Sequence, residues 1–274
     1  DFLQGFIRRL VPEGESVLLV TESDVPAGAG LGGSGALGVA VVAALDHAFG
    51  RVRTPSETAR VANDIERGDL GYPGGSQDSF AAALGGINKL VYAKGGGVAH
   101  HPVKISRDTL MDLEQHSLLI HTSEAHVSGN IHQDILDSYG RKNSPTFNAL
   151  VCLREAANSM AAALEVGDMV GYVDNLNLSC ENLYRLHPSC DSSAHREYCV
   201  ELEEHILGRK TCGAGGGGGM MVYTRPGHRR ACLLCARELG GVVWPVMLDF
   251  KGAVTWSGKS TCKDVFEKIL ARCK

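Results

Sequence analysis

The stretch Val25-Pro26-Ala27-Gly28-Ala29-Gly30-Leu31-Gly32-Gly33-Ser34-Gly35-Ala36 is entered from a strand-like run and left by a long apolar helix pattern. Glycine supplies positive φ angles and lets the backbone come close to a ligand, so successive N–H groups can turn inward as an anion-binding nest. Ser34 falls where the helix should begin, and a helix N-terminus adds unpaired N–H groups and the positive end of the macrodipole. The expectation is a phosphate cradle rather than a plain surface turn. Two common fingerprints do not fit: no Gly-Lys-Ser/Thr closes the loop, and the glycines do not fall as in a dinucleotide-binding turn with an acidic ribose partner.

The residues on either side place this loop in a mixed fold. Gly5 to Leu10 read as the end of an amphipathic helix and Ser16 to Glu22 as a strand, and Ser34 to about Phe49 as a helix apolar nearly all round, hence buried. Thr54-Pro55-Ser56-Glu57 is a capping box with proline at the first helical position. That helix carries Glu66 and Arg67 to its end, where Gly68 and Gly71 stop it. The helix dipole there disfavours a carboxylate unless a cation is near, either Arg67 or a metal. A second glycine turn, Gly71 to Gly75, opens into an alanine-rich helix with Gln77 and Asp78 in its first turn. Ile87–Tyr92 and Val98–Ile105 read as a hairpin, and the composition then shifts, which places a domain boundary near Ser106.

Beyond it the expected order is a helix at Thr109–Glu114, a strand at Ser117–Thr122, a polar turn at Thr122–Asn130, and a helix through Phe147 and Leu164. Helices at Asp168–Tyr184 and Ser193–Leu207 follow. Lys210 to Gly219 is a glycine run leading straight into an apolar strand, which favours close backbone approach to another loop or a ligand over a linker. A helix at Arg229–Leu239, strands at Val242–Met247 and Ala253–Trp256, and a helix at Lys263–Ala271 complete an α+β pattern with an antiparallel sheet.

Composition excludes several classes. A net charge of −4 gives no basic excess for nucleic acid. No segment is long and apolar enough for a membrane span, and the start, Asp1-Phe2-Leu3-Gln4, is unlike a signal peptide. The start also lacks an initiator Met. Nine cysteines in the second half fit reduced thiols in a cytoplasm better than disulfides. Cys232-Leu233-Leu234-Cys235 lies on a helical pattern without a second pair, and His121, His126 and His132 lack ligand spacing, so packing is favoured over metal at both places.

Taken together, the loop Pro26 to Ala36 resembles the second motif of the GHMP small-molecule kinases, and Lys210 to Gly218 resembles their third. Ile65-Glu66-Arg67, Gly74-Gly75-Ser76-Gln77-Asp78 and Ala81 to Asn88 look most like the heptose kinase and fucokinase branch. The resemblance implies two α+β domains, a ribosomal-S5-like one (1–105) and a ferredoxin-like one (106–274), with the active site in the cleft between them. It implies that Pro26, Gly28, Ala29, Gly30, Leu31, Gly32, Gly33, Ser34, Gly35 and Ala36 hold ATP, and that Ser34 and Glu66 face Mg²⁺ as hard oxygen donors. Asp78 would be the base toward a sugar hydroxyl, with Gln77, Thr122, Gly213, Ala214, Gly215 and Gly216 shaping the substrate site. The expected partner is a small sugar or sugar phosphate, with the heptose 7-phosphate type foremost. L-fucose, or a weakly catalytic regulatory role, are the alternatives, and the oligomeric state stays open, a homodimer included. The family loop usually has adjacent serines where this chain has Gly33-Ser34, which leaves backbone N–H groups to replace one hydroxyl. The family's first motif, on a strand that helps form the substrate site, is not found before it, so either the sequence begins inside a longer protein or the first domain lacks that strand.

Overall fold

In the computed structural model, residues 2–26, 28–72, 74–122, 131–139 and 144–258 are described. Helix α1 (Phe2–Leu10) leads into the first glycine loop, followed by α2 (Gly33–Ala48), α3 (Pro55–Asn63) and α4 (Gln77–Leu84). The capping box forms at α3 as its sequence predicts: the Thr54 hydroxyl accepts from the Glu57 N–H, and the Glu57 carboxylate accepts from the Thr54 N–H. Asp64–Asp69 then continue the helix as a π-helical turn that widens the coil and carries Glu66. Phe6, Val39, Val42, Leu45, Ala59, Ile65 and Phe80 close one core among these helices.

The bulky residues of α2 face that core, but Ala36, Ala40, Ala44 and Ala48 are exposed. The expectation of burial all round is therefore corrected. Alanine is apolar without needing cover, so a helix can read as apolar on every side and still leave its small-residue face open. Near its C-terminus Asp46, only 4% exposed, is gripped by Arg51 at 2.7 Å and by Arg53. Truncation would leave two part-buried guanidinium groups without the carboxylate that holds them. Asp46→Ala is expected to lower stability by about 2–3 kcal/mol, seen as a reduced midpoint in urea unfolding with the slope unchanged.

A hairpin, β1 (Asn88–Tyr92) against β2 (Val98–Pro102), follows α4. Then come α5 (Arg107–His116), β3 (Ser117–His121), α6 (Ile131–Tyr139), α7 (Pro145–Val166), α8 (Met169–Leu186) and α9 (Ser193–Glu201). The chain continues through β4 (Ile206–Thr211), β5 (Gly219–Thr224), α10 (Arg229–Glu238) and β6 (Val242–Pro245). The larger sheet is antiparallel in the order β4-β5-β3-β6. Strand alternation sorts its two faces. Leu118, Ile120, Met220 and Val222 pack with Tyr198, Leu202 and Ala236, whereas Met221 and Tyr223 turn toward α5, α7 and α8.

Three expected elements differ. Ser16–Glu22 is extended without strand pairing, and Val17, Leu18 and Val20 are exposed. β-branched residues favour extended backbone, but a strand needs a neighbour to bond. Ala253–Trp256 likewise forms no strand: it lies along α4 and α2 through Ala253 N–H to the Ala83 carbonyl and Thr255 to His47. The helix expected to reach Leu207 stops at Glu201, and Ile206 already begins β4, because a turn at 202–205 intervenes. The expected helix at Lys263–Ala271, residues 123–130 of the polar turn, and His126 lie outside the described residues.

Candidate active site

The first loop reaches α2 through alternate glycines in the left-handed region, Gly28 (φ 79°), Gly30 (φ 69°) and Gly32 (φ 74°), with Ala29 and Leu31 between them. That alternation is what turns successive N–H groups to one side. Gly32 caps α2 with no side-chain hydrogen bond, the first turn holds no acid, and the first helical bond is Ala36 N–H to the Gly32 carbonyl at 3.0 Å. The N–H groups of Gly33, Ser34 and Gly35 thus have no helical acceptor, and α2's own first turn brings no acid to them. The helix starts one residue before Ser34, which occupies its second position with an exposed side chain.

Helix α4 brings its own N-terminus to the same place. Asp78 is pressed so closely on α2 that a Cβ at Gly32 would lie 2.9 Å from its Cγ, and one at Gly35 2.9 Å from its Cβ. The glycines are therefore needed twice, for the turn and for the approach of this carboxylate. Burial, and next the charge of Glu66, raise the Asp78 pKa above its ordinary value of 3.8, with a Gln77 hydrogen bond pulling the other way. Glu66, half-buried on the π-helical turn, is near enough for its charge to act on Asp78. Among the described residues neither Glu66 nor Asp78 has an ion-pair partner, and Arg67, the cation weighed from sequence, is exposed and makes no ion pair with Glu66.

The third loop, between β4 and β5, lies on the first, backbone against backbone. A Cβ at Gly218 would stand 2.7 Å from the Ala29 carbonyl oxygen, and one at Gly213 3.1 Å from that of Gly30. Both the N–H and the hydroxyl of buried Thr122 donate to the Gly218 carbonyl, at 3.0 and 3.2 Å. Gly215 and Gly216 rest on the carbonyl of Cys190, which accepts from Gly216 N–H at 2.9 Å. Ala214 sits half-buried in the same turn. So Pro26, Gly28 to Ala36, Glu66, Gln77, Asp78, Thr122 and Gly213 to Gly216 belong to one region, assembled from segments far apart in sequence.

Sequence reasoning missed what supports the third loop. Thr211, at the end of β4, meets the Tyr184 hydroxyl at 2.8 Å, the Cys180 thiol at 3.8 Å and His195 Nδ1 at 3.4 Å. Lys210 donates to the Thr211 carbonyl at 2.6 Å, and burial lowers its pKa. Burial pushes the neighbouring Cys212 thiol up to about 11, so it is held as a neutral thiol. Nothing in residue type or spacing marked these contacts, because they arise between separate elements.

Residues 2–86 match the family model for the GHMP kinases N terminal domain. The chain is similar to the D-glycero-alpha-D-manno-heptose 7-phosphate kinase of Campylobacter jejuni, 28% identical over 88% of this chain and 71% of that protein. It is also similar to the Arabidopsis thaliana bifunctional fucokinase/GDP-fucose pyrophosphorylase, 25% identical over 82% of this chain and 21% of that one. The solved structure of a D-glycero-D-manno-heptose 1-phosphate kinase from Bacteriodes thetaiotaomicron superposes with a TM-score of 0.74 at 26% identity, covering 94% of this chain and 75% of that one.

Proposed function

We propose, from the premise that residues 2–86 are a GHMP kinase N-terminal domain, that the chain is an ATP-dependent sugar kinase acting on a heptose 7-phosphate at its anomeric hydroxyl. One observation carries this reading furthest. Asp78 lies between the N-termini of α2 and α4, beside backbone N–H groups that have no helical acceptor, with its proton affinity raised by burial and by Glu66.

Phosphoryl transfer asks little covalent chemistry of a protein and much positioning. The N–H groups of the first loop and of Gly33 to Gly35 would hold the ATP phosphates, with the positive end of α2 behind them. Gly33 leaves that contact to backbone rather than to a hydroxyl. Glu66, without an ion-pair partner among the described residues, would face a divalent ion together with the Ser34 hydroxyl near the start of α2. These are hard oxygen donors of the kind Mg²⁺ takes, completed by water and phosphate. Bound there, Mg²⁺ would supply neutralising charge for the phosphate oxygens. Asp78 would accept the proton of the attacking hydroxyl, and the third loop, with Gly213 to Gly216 and Thr122 behind it, would shape the sugar side.

We read the domains as parting near residue 105, and the free thiols as those of a cytoplasmic protein. Among the described residues no disulfide forms and no helix is long and apolar enough to cross a membrane. The test is ADP release from the chain given ATP, Mg²⁺ and, separately, D-glycero-D-manno-heptose 7-phosphate, L-fucose and galactose. Stimulation by the heptose phosphate at least about tenfold above the others is expected, the discrimination that buried polar contacts provide. Turnover on fucose alone would move the assignment to fucokinase, and no stimulation by any sugar would overturn the kinase reading.

A further inference from the structure

At the other end of α4 from Asp78 lies a cavity of about 620 Å³ that the kinase chemistry does not use. Its floor is apolar, formed by Leu84, Ile87, Val103, Ile105 and Leu110, and Phe250 is one wall. The wall is fixed rather than draped. Gly86 donates its N–H to the Asp249 carbonyl at 2.6 Å, and a Cβ at Gly86 would stand 3.1 Å from the Phe250 ring. Leu248 N–H is held by the Glu114 carboxylate at 2.9 Å.

The rim has one sign of charge. Lys104 and Arg107 line the cavity, no carboxylate does, and among the described residues neither cation has an ion-pair partner. His100 lines it too, and its Nδ1 is buried with no hydrogen-bond partner among the described residues. The N-terminus of α5 adds to this field. Ser106 caps only the Thr109 N–H, and the first helical bond is made by Leu110, so the N–H groups of Arg107 and Asp108 have no helical acceptor. Asp108, in the same turn, does not line the cavity.

We infer that this cavity binds a small organic phosphate with a flat apolar body, the ring lying against Phe250 and the phosphate between Lys104 and Arg107. The apolar floor favours a ligand with an apolar body over a bare hydrated ion, and two rim cations with no carboxylate lining the cavity favour an anionic ligand over a neutral one. The site is separate from the glycine loops and stands whether or not the chain phosphorylates sugars.

Phenyl phosphate is the probe, compared with inorganic phosphate and with phenol by ligand-observed NMR titration of the full chain, in the presence and absence of excess AMP-PNP and Mg²⁺. Phenyl phosphate is expected to bind about tenfold or more tightly than either fragment, and to stay bound with the nucleotide present. Lys104→Ala with Arg107→Ala, both exposed positions that leave the core untouched, should weaken it about tenfold or more. Phe250→Ala should reduce it toward the affinity of inorganic phosphate. Failure to bind, displacement by AMP-PNP, or binding indifferent to the paired Lys104 and Arg107 substitutions would each overturn the inference. The paired variant decides the matter even if the chain binds no nucleotide.

Discussion

Asp78→Asn is expected to lower turnover by about 10²–10⁴-fold while leaving AMP-PNP binding in place. The amide keeps the shape that packs on Gly32 and Gly35 but cannot take a proton. The titration of the wild type carries the same signature. A base must be ionised to act, and burial with Glu66 makes Asp78 give up its proton at a higher pH than an ordinary aspartate. In the Mg²⁺-free chain the Asp78 carboxyl should therefore titrate above the range of an ordinary carboxylate in a carboxyl-observed NMR titration, and Glu66→Gln should move it downward by removing one of the raising causes. A titration that Glu66→Gln leaves unmoved would count against the coupling.

The same shift has an opposite effect on stability. Between the unfolded pKa and the raised folded one, the native state holds more protons than the unfolded chain, so stability falls as pH rises across that window. Above it the cost is fully present. Asp78→Asn should thus unfold at higher denaturant concentration than wild type at neutral pH, with the gap closing below the unfolded pKa. A variant both less active and more stable is what a strained functional carboxylate predicts, and loss of both together would mark Asp78 as structural.

Gly218→Ala is the second large effect. The new Cβ would lie 2.7 Å from the Ala29 carbonyl oxygen, and φ is 80°. The atoms it meets, the Ala29 carbonyl oxygen and carbon, are backbone, so no side chain can swing away. The first loop must shift instead, and a shift of about an ångström in phosphate position is worth about a hundredfold in rate. The expected outcome is an ATP KM raised about tenfold or more, with stability reduced by about 2–4 kcal/mol. Gly227→Ala is the control, because it has a similar φ of 79° and no atom within 4 Å of the added Cβ. It should cost only the left-handed backbone penalty, about 1–2 kcal/mol, and leave ATP KM alone. Equal KM effects from the two would show that loop contact is not what matters.

How much of this was legible in the sequence depended on the range of the interaction. The capping box at Thr54, the glycine loop opening α2, and Asp78 at the start of α4 are written in neighbouring residues, and all appear where the sequence places them. Strand identity was less secure. Val17 to Val20 has strand-forming residues but no partner, and Ile206 was absorbed into a helix pattern because the turn at 202–205 carries no glycine or proline. The Thr122 grip on Gly218 and the Cys190 carbonyl under Gly216 were invisible, since neither residue type announces a backbone contact across the chain. The π-helical turn was equally hidden: the residues of Asp64–Asp69 that carry Glu66 look like an ordinary helix end.

The crossing of the two glycine loops also dictates an order of events in folding. The helical core around Phe6, Val42 and Phe80 joins residues from the first third of the chain, whereas Ala29 meets Gly218 only after most of the chain has been gathered in. Closing so long a loop is entropically costly and returns little until the sheet that carries β4 and β5 exists. Nucleotide affinity should therefore arise in the last phase of refolding, after most helical signal is recovered, and a fluorescent ATP analogue in a stopped-flow experiment would time the completion of the native state.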